Sequence, residues 1–254
     1  MSGLSIGRRL TPQWLKKRLA PYLLHRVLHP DLLVPPAELE TAYRAALDDL
    51  LAHSRGTDVG DYVEFGVAHG TSMVCMANSS RAVGLGHMRL IGFDSFEGLP
   101  AGVSEEDNGV YEQGDGRAPE SATRRNLRRN NVEPARITLV KGWFDDTATP
   151  ELAASLGLNR IGVAMIDCNV YSSARVALQF VAPLLADRAV LVFDDWHHSG
   201  LAEAGLGEFR AYEEMLAGHP ELREVGRLPR YHPNAELVIL ERHTTFTNVS
   251  GQSS

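Results

Sequence analysis

From Ile161 to Trp196 the chain reads IGVAMIDCNVYSSARVALQFVAPLLADRAVLVFDDW. The run Ile161 to Ile166 is short, apolar and without alternation, which suits a strand buried on both faces, and it stops at Asp167. A helical stretch follows, with Ser172 or Ser173 in position to cap it. Val176, Leu178, Phe180, Val181, Leu184 and Leu185 supply its apolar positions. A second buried strand, Ala189 to Phe193, stops as abruptly at Asp194 and Asp195. Strand, helix and strand of these lengths form a right-handed crossover, so the two strands are parallel. Their carboxyl ends then share one edge of the sheet, where open α/β folds hold their ligands.

Three aspartates at that edge pose an electrostatic problem. Two carboxylates about 4 Å apart repel by roughly 4 kcal/mol at an effective dielectric of about 20. Three such pairs amount to about 12 kcal/mol, comparable with the whole stability of a domain, about 5–15 kcal/mol. Converging carboxylates therefore hold a cation or retain protons. Hard oxygen ligands suit Mg²⁺, with Ca²⁺ or Mn²⁺ as alternatives. The competing reading makes Asp167 and Asp195 solvated strand ends and Asp194 a turn or cap residue.

The 254 residues fit one large α/β domain with an extra segment, or two small domains, and an apolar fraction of 44% is ample for a core. A net charge of −7 argues against a general affinity for nucleic acid or anionic membrane. Cys75 and Cys168 have no metal-binding spacing and read as a reduced thiol pair. Lys16, Lys17, Arg18, Pro21, His25, Arg26 and His29 interrupt the stretch from Leu10 to Leu33, which is neither signal peptide nor membrane span. The expectation is a soluble, cytoplasmic protein.

Residues 1–56 read as a helical extension, either covering a ligand site or mediating oligomerisation. Leu15, Leu19, Tyr22, Leu23, Leu24, Val27 and Leu28 form one apolar face. A second helix starts at Val34-Pro35-Pro36 and runs through Leu39, Tyr43, Leu47, Leu50 and Leu51. Residues 57–243 form the main domain, and 244–254 a polar, frayed tail. At Asp61 to Ser72 a strand runs into glycines and a helix. The pattern Glu64-x-Gly66-x-x-x-Gly70, with Ala68, Thr71 and Ser72, fits the nucleoside loop of S-adenosylmethionine (SAM) enzymes better than a pyrophosphate cradle. A tight structural turn would account for it as well.

The next strand, Arg89 to Phe93, ends in Asp94 and Ser95. Asp94 is spaced to accept ribose hydroxyls, or else to cap the turn through Pro100. Residues 97–119 read as a lid or substrate loop. Ser121 then caps a helix whose Arg124, Arg125, Arg128 and Arg129 read as a solvated face rather than a nucleic-acid site. A third strand, Ile137 to Val140, leads to Lys141-Gly142-Trp143-Phe144-Asp145-Asp146, aromatics that flank an adenine or pack the core, followed by helix-start acids. A helix from Leu206 to Leu216 and an antiparallel pair, Arg223 to Leu228 and Glu236 to Leu240, complete the domain.

Alternating strands and helices with a terminal hairpin suggest the Rossmann-like, seven-stranded class I methyltransferase fold. More narrowly, five blocks in order resemble the macrocin and mycinamicin sugar O-methyltransferase family. They are VEFGVAHGTS, GFDSFEGLP, VKGWFDDT, MIDCNVYSS and VFDDW. The resemblance spans about Asp61 to Leu240. It implies SAM and Mg²⁺ as cofactors, a glycosylated or polyhydroxylated natural product as acceptor, and a homo-oligomer. It assigns Asp167, Asp194 and Asp195 to the metal, with Asp167 also beside SAM. Glu64, Gly66, Ala68, Gly70, Thr71 and Ser72 fall on the SAM loop, Asp94 and Ser95 at the ribose, and Gly142, Trp143 and Phe144 beside the adenine.

One position departs from the pattern. Where members often have an aspartate as candidate general base, this chain has Asn169, and an amide accepts no proton at neutral pH. His197 and His198 follow the acidic pair directly and are the candidate replacements. The expected activity is Mg²⁺-dependent O-methyl transfer from SAM to a sugar hydroxyl. A catechol acceptor, or another reaction on the same SAM and metal site, is the alternative that Asn169 motivates.

Overall fold

The structure is a computed structural model and describes residues 35–243 apart from 55 and 57. The helix read over Leu15 to Leu28 and the tail 244–254 lie outside the described residues. Helix α1 (Pro36–His53) opens the described chain. Strand β1 (Asp61–Phe65), helix α2 (Thr71–Ala82) and strand β2 (Leu90–Asp94) follow. Beyond the 97–119 loop come α3 (Glu120–Arg129), β3 (Ile137–Lys141), and the short helices α4 (Phe144–Thr147) and α5 (Pro150–Ser155). Next are β4 (Ile161–Ile166), α6 (Tyr171–Val181), β5 (Leu185–Phe193), α7 (Gly207–Gly218), β6 (Leu222–Leu228) and β7 (Glu236–Arg242).

The seven strands form one sheet in the order β3-β2-β1-β4-β5-β7-β6. β1 to β5 are parallel, and β7 runs antiparallel to both β5 and β6. The strand order reverses between β1 and β4, so the crossovers on either side leave opposite faces and a crevice opens at the carboxyl ends. All six residues of β4 are buried, as its unbroken apolar run requires. β5 begins earlier than the apolar run suggests because Arg188 pairs with Glu241 of β7 and also holds Asp49 of α1 at 2.7 Å.

Each face of the sheet carries its own core. Leu39, Tyr43, Leu47 and Leu50 of α1 are buried in one cluster with Met73 and Met76 of α2 and Tyr62, Met165 and Val192 of the sheet. The other face packs Phe65, Phe93 and Phe193 against Phe180 of α6 and Tyr212 and Met215 of α7. Among the described residues no helix is long and apolar enough to cross a membrane. Cys75 and Cys168 are both buried and free.

Two helix starts differ from the sequence reading. α6 has no side-chain cap of its own. The N–H groups of Tyr171 and Ser172 donate instead to Asp107 (2.8 Å) and Glu106 (3.0 Å) from the long loop, which leaves Ser172 and Ser173 inside the first turn. Asp107 also accepts from the N–H of Gly207 at 2.9 Å and thereby ties the starts of α6 and α7 together. α3 begins at Glu120 with Pro119 at its cap, so Ser121 caps nothing.

Candidate functional site

A cavity of about 360 Å³ occupies the crevice at the carboxyl edge. Gly66, Ala68, Asp94 and Ser95 form its β1–β2 wall, and Trp143, Phe144 and Asp145 its β3 wall. The loop contributes Gly98, Leu99, Pro100, Asp115 and Gly116, and α6 contributes Ser172, Ser173 and Val176. Asp167, Cys168, Asn169, Asp194 and Asp195 close it on the β4–β5 side.

The three aspartates converge, each offering a carboxylate oxygen within 4.8 Å of the others. Asp195 is buried, while Asp167 and Asp194 are partly exposed to the cavity. Burial, reinforced by the neighbouring carboxylates, pushes Asp167 well above the ordinary carboxyl value and raises Asp195 as well. Glu208 lies behind them, fully buried and raised for the same reasons. It accepts the N–H of Asp195 at 3.2 Å on one oxygen and has no partner on the other. No Lys or Arg among the described residues pairs with any of these four acids. Tyr111 adds a buried hydroxyl, facing Asn169 and Asp195, without a well-formed hydrogen bond. Under-satisfied hard oxygens in a like-charge cluster fit a divalent cation.

Asn169 takes no part as a base. It sits in the left-handed region, φ 68°, which asparagine tolerates, and its amide donates to Asp195 at 2.7 Å. A carboxylate at that position would oppose Asp195 instead of donating to it. The opposite edge of the acid cluster is held from the β6–β7 connection. Tyr231 donates its hydroxyl to Asp194 Oδ1, and His232 Nε2 lies 2.9 Å from the same oxygen. The sequence reading missed Tyr111, Glu208, Tyr231 and His232. A tyrosine and histidine within a turn of proline and asparagine were the only local signal for the last two.

The β1–β2 wall is internally satisfied. Asp94 accepts the N–H groups of Val67 (2.8 Å), Ala68 (2.7 Å) and Phe96 (2.6 Å), which is the turn-capping arrangement, while it still lines the cavity. Burial raises its pKa, and these three donors oppose that rise. Glu64 is wholly buried, accepts the hydroxyls of Tyr62 and Ser72, and does not line the cavity. Burial pushes it up to about 8. Glu64 and Ser72, expected on the cofactor loop, bond to each other inside the core, behind the cavity lining. Gly66, at φ 89°, is glycine because a Cβ would lie 1.7 Å from the carbonyl oxygen of Asp167, so the close approach is to protein backbone. Gly70 and Thr71 lie behind the lining, and Thr71 has a buried hydroxyl without a partner at the start of α2. Gly142 also lies behind it, donating its N–H to the carbonyl of Asp94 at 3.0 Å. Trp143 is 38% exposed, whereas Phe144 packs edge-on against Phe65 at 5.1 Å.

The two candidate histidines also part company. Neither of them lines the cavity: His197 is held between Glu203 (3.2 Å) and Glu236 (3.0 Å). His198 stacks on Tyr111, with ring centroids 5.3 Å apart, and its Nδ1 is 3.7 Å from Asp195. Burial lowers its pKa, and the nearby Asp194 opposes that fall.

Residues 44–225, most of the described chain, match the family model described as Macrocin-O-methyltransferase (TylF). The chain belongs to the macrocin O-methyltransferase family. Among curated proteins, a relative from Streptomyces olivaceus is 31% identical over 148 residues, 54% of this chain and 53% of its own length. It is named 8-demethyl-8-(2,3-dimethoxy-alpha-L-rhamnosyl)-tetracenomycin-C 4'-O-methyltransferase. The chain thus spans about half the length of that relative. Among solved structures, the O-methyltransferase NovP is 19% identical with a TM-score of 0.62, covering 82% of this chain and 80% of its own. The calicheamicin methyltransferase CalS11 is 20% identical with a TM-score of 0.61, covering 93% of this chain and 98% of its own. An O-methyltransferase from Bacillus cereus in complex with SAH is 12% identical with a TM-score of 0.55, covering 91% and 96%. At these identities the likeness establishes the class I methyltransferase fold.

Proposed function

We propose that this chain moves a methyl group from SAM to a hydroxyl of a sugar or other polyhydroxylated natural product, with Mg²⁺ at the acid cluster. The convergence of Asp167, Asp194 and Asp195 at one end of the cavity carries this reading. Family membership and the rhamnosyl substrate named for the Streptomyces relative support the acceptor class. SAM supplies an electrophilic methyl group, and a bound divalent cation acidifies an acceptor hydroxyl as a Lewis acid.

The residues divide the work by position. Gly66, Ala68, Asp94 and Ser95 offer a polar wall for the nucleoside, and Trp143 with Phe144 an apolar face for its base. Asp94 has three of about four acceptor directions filled, so it holds at most one ribose hydroxyl rather than two. The unpartnered Thr71 hydroxyl and the N–H groups of α2 are candidates for the amino-acid end, after local adjustment. Asn169 steadies Asp195 and Glu208 receives its backbone. His198, outside the cavity lining but 3.7 Å from Asp195, is the better-placed base, while His197 is engaged by two carboxylates. Acceptor choice falls to residues 1–56 and the 97–119 loop. A cytoplasmic homo-oligomer completes the proposal.

Incubation with SAM, Mg²⁺ and a panel of rhamnosides, other glycosides and catechols, read by mass spectrometry, tests it. A product heavier by one methylene, with equal release of S-adenosylhomocysteine (SAH), is expected from a glycoside. Methylation of catechols alone would move the acceptor class. SAM binding without methylation of any acceptor would favour a different reaction on the same site.

A further inference from the structure

Residues 229–235, between β6 and β7, send two side chains to Asp194. The hydroxyl of Tyr231 and Nε2 of His232 both meet Oδ1. The backbone N–H of Asn234 donates to His232 Nδ1 at 3.2 Å. Nδ1 is thereby an acceptor, so in the neutral ring the proton sits on Nε2 and points at Asp194. Tyr231 is 6% exposed, and its ring meets that of His232 edge-on at 4.6 Å. The loop is fixed in turn, because His197 N–H donates to the Asn234 carbonyl at 2.9 Å and Arg230 pairs with Glu236 at 2.7 Å.

Two rigid donors on one carboxylate oxygen set the plane of the group and leave the other oxygen free. We propose that Tyr231 and His232 are positioning residues that hold Asp194 by Oδ1 and so direct its second oxygen to a divalent cation shared with Asp167 and Asp195. The inference rests on the metal reading above. It assigns a task to a segment 37 residues from Asp194 that no sequence block singles out.

The test titrates Mn²⁺, standing in for Mg²⁺, into the full-length protein and follows free Mn²⁺ by electron paramagnetic resonance. SAH affinity without cation and the melting temperature serve as controls. Wild type should bind Mn²⁺ and Asp194→Ala should not. Tyr231→Phe and His232→Asn, whose shorter amide cannot reach Oδ1, should weaken Mn²⁺ by about 10- to 100-fold. His232→Gln, whose amide nitrogen overlays Nε2, should stay close to wild type, and SAH affinity should not change in any variant. Wild-type Mn²⁺ affinity in Tyr231→Phe and His232→Asn overturns the inference and leaves the metal reading standing. So does an equal loss in His232→Gln, or a parallel loss of SAH affinity, either of which assigns the pair to packing. No Mn²⁺ binding by wild type overturns the metal reading itself, and the inference with it.

Discussion

The two walls of the cavity are both built on acids, and they treat those acids in opposite ways. On the β1–β2 side, Glu64 accepts two hydroxyls and Asp94 three backbone N–H groups. On the β4–β5 side, Asp167, Asp194, Asp195 and Glu208 crowd together with no lysine or arginine among the described residues, and Glu208 and Tyr111 keep unpartnered oxygens. A satisfied buried acid holds the fold, because both of its oxygens are already bonded to protein. An unsatisfied cluster of like charge costs stability and is retained where a ligand completes it. On the function proposed above, the satisfied wall is the preformed seat of the nucleoside and the unsatisfied one holds the cation.

The largest effect that could break this contrast is on activity. Asp195→Ala should lower methyl transfer by about a thousand-fold or more, since roughly 4 kcal/mol of electrostatic stabilisation goes with the cation. Rates of product formation at saturating Mg²⁺ check it, and a near-normal rate would reduce the acid cluster to ornament.

Stability should then move in opposite directions on the two walls. Glu64→Ala removes the acceptor from two buried hydroxyls, Tyr62 and Ser72, and should cost about 2–4 kcal/mol. Asp167→Asn replaces a buried carboxyl of raised pKa by a neutral amide, removing the cost of protonating or crowding it, and should leave the cation-free protein as stable or more so, by about 1 kcal/mol. Urea unfolding of both variants without divalent cation measures the two signs, and a shared sign would erase the distinction.

A smaller, graded effect lies in the pH dependence. Asp167, Asp195, Glu208 and Glu64 all have raised folded-state values, to about 8 for Glu64. Between the ordinary carboxyl value and the raised one, the folded chain keeps protons that the unfolded chain has lost. Stability is therefore full at the acid end of that window and falls as pH rises through it, by at most about 1.4 kcal/mol per pH unit for each group. Thermal melts from weakly acid pH to about pH 8 should show this decline. Added Mg²⁺ should recover the share owed to Asp167 and Asp195, while Glu64→Gln should remove the share owed to Glu64 and leave that of Glu208.

The strands and the acid edge were legible because β4 and β5 pass from unbroken apolar runs to aspartate within one residue, a pattern with few other causes. The five family blocks fall on the carboxyl ends of β1 to β5. What stayed hidden depends on contacts distant in the chain. Ser172 and Ser173 look like caps for α6, but Glu106 and Asp107 take that task from a loop more than sixty residues earlier (|i−j| of 64 and 66). Asp94 looks the same in sequence whether it faces a ribose or caps a turn, and only the positions of the Val67 and Ala68 N–H groups show the capping. Nothing local to Glu64 reveals that its two oxygens are taken by Tyr62 and Ser72. Asn169 looked like a lost base, and the fold makes it a donor to Asp195.

The most direct test of the contrast is a calorimetric titration of Mg²⁺ into the wild-type protein near neutral pH, in two buffers of different ionisation enthalpy. Raised carboxyls at the acid cluster predict binding with proton release, visible as a buffer-dependent heat, and Asp194→Ala should abolish both. Binding with no buffer dependence would mean the cluster is already ionised and not crowded as described. No binding at all would contradict the assignment of this wall to a cation.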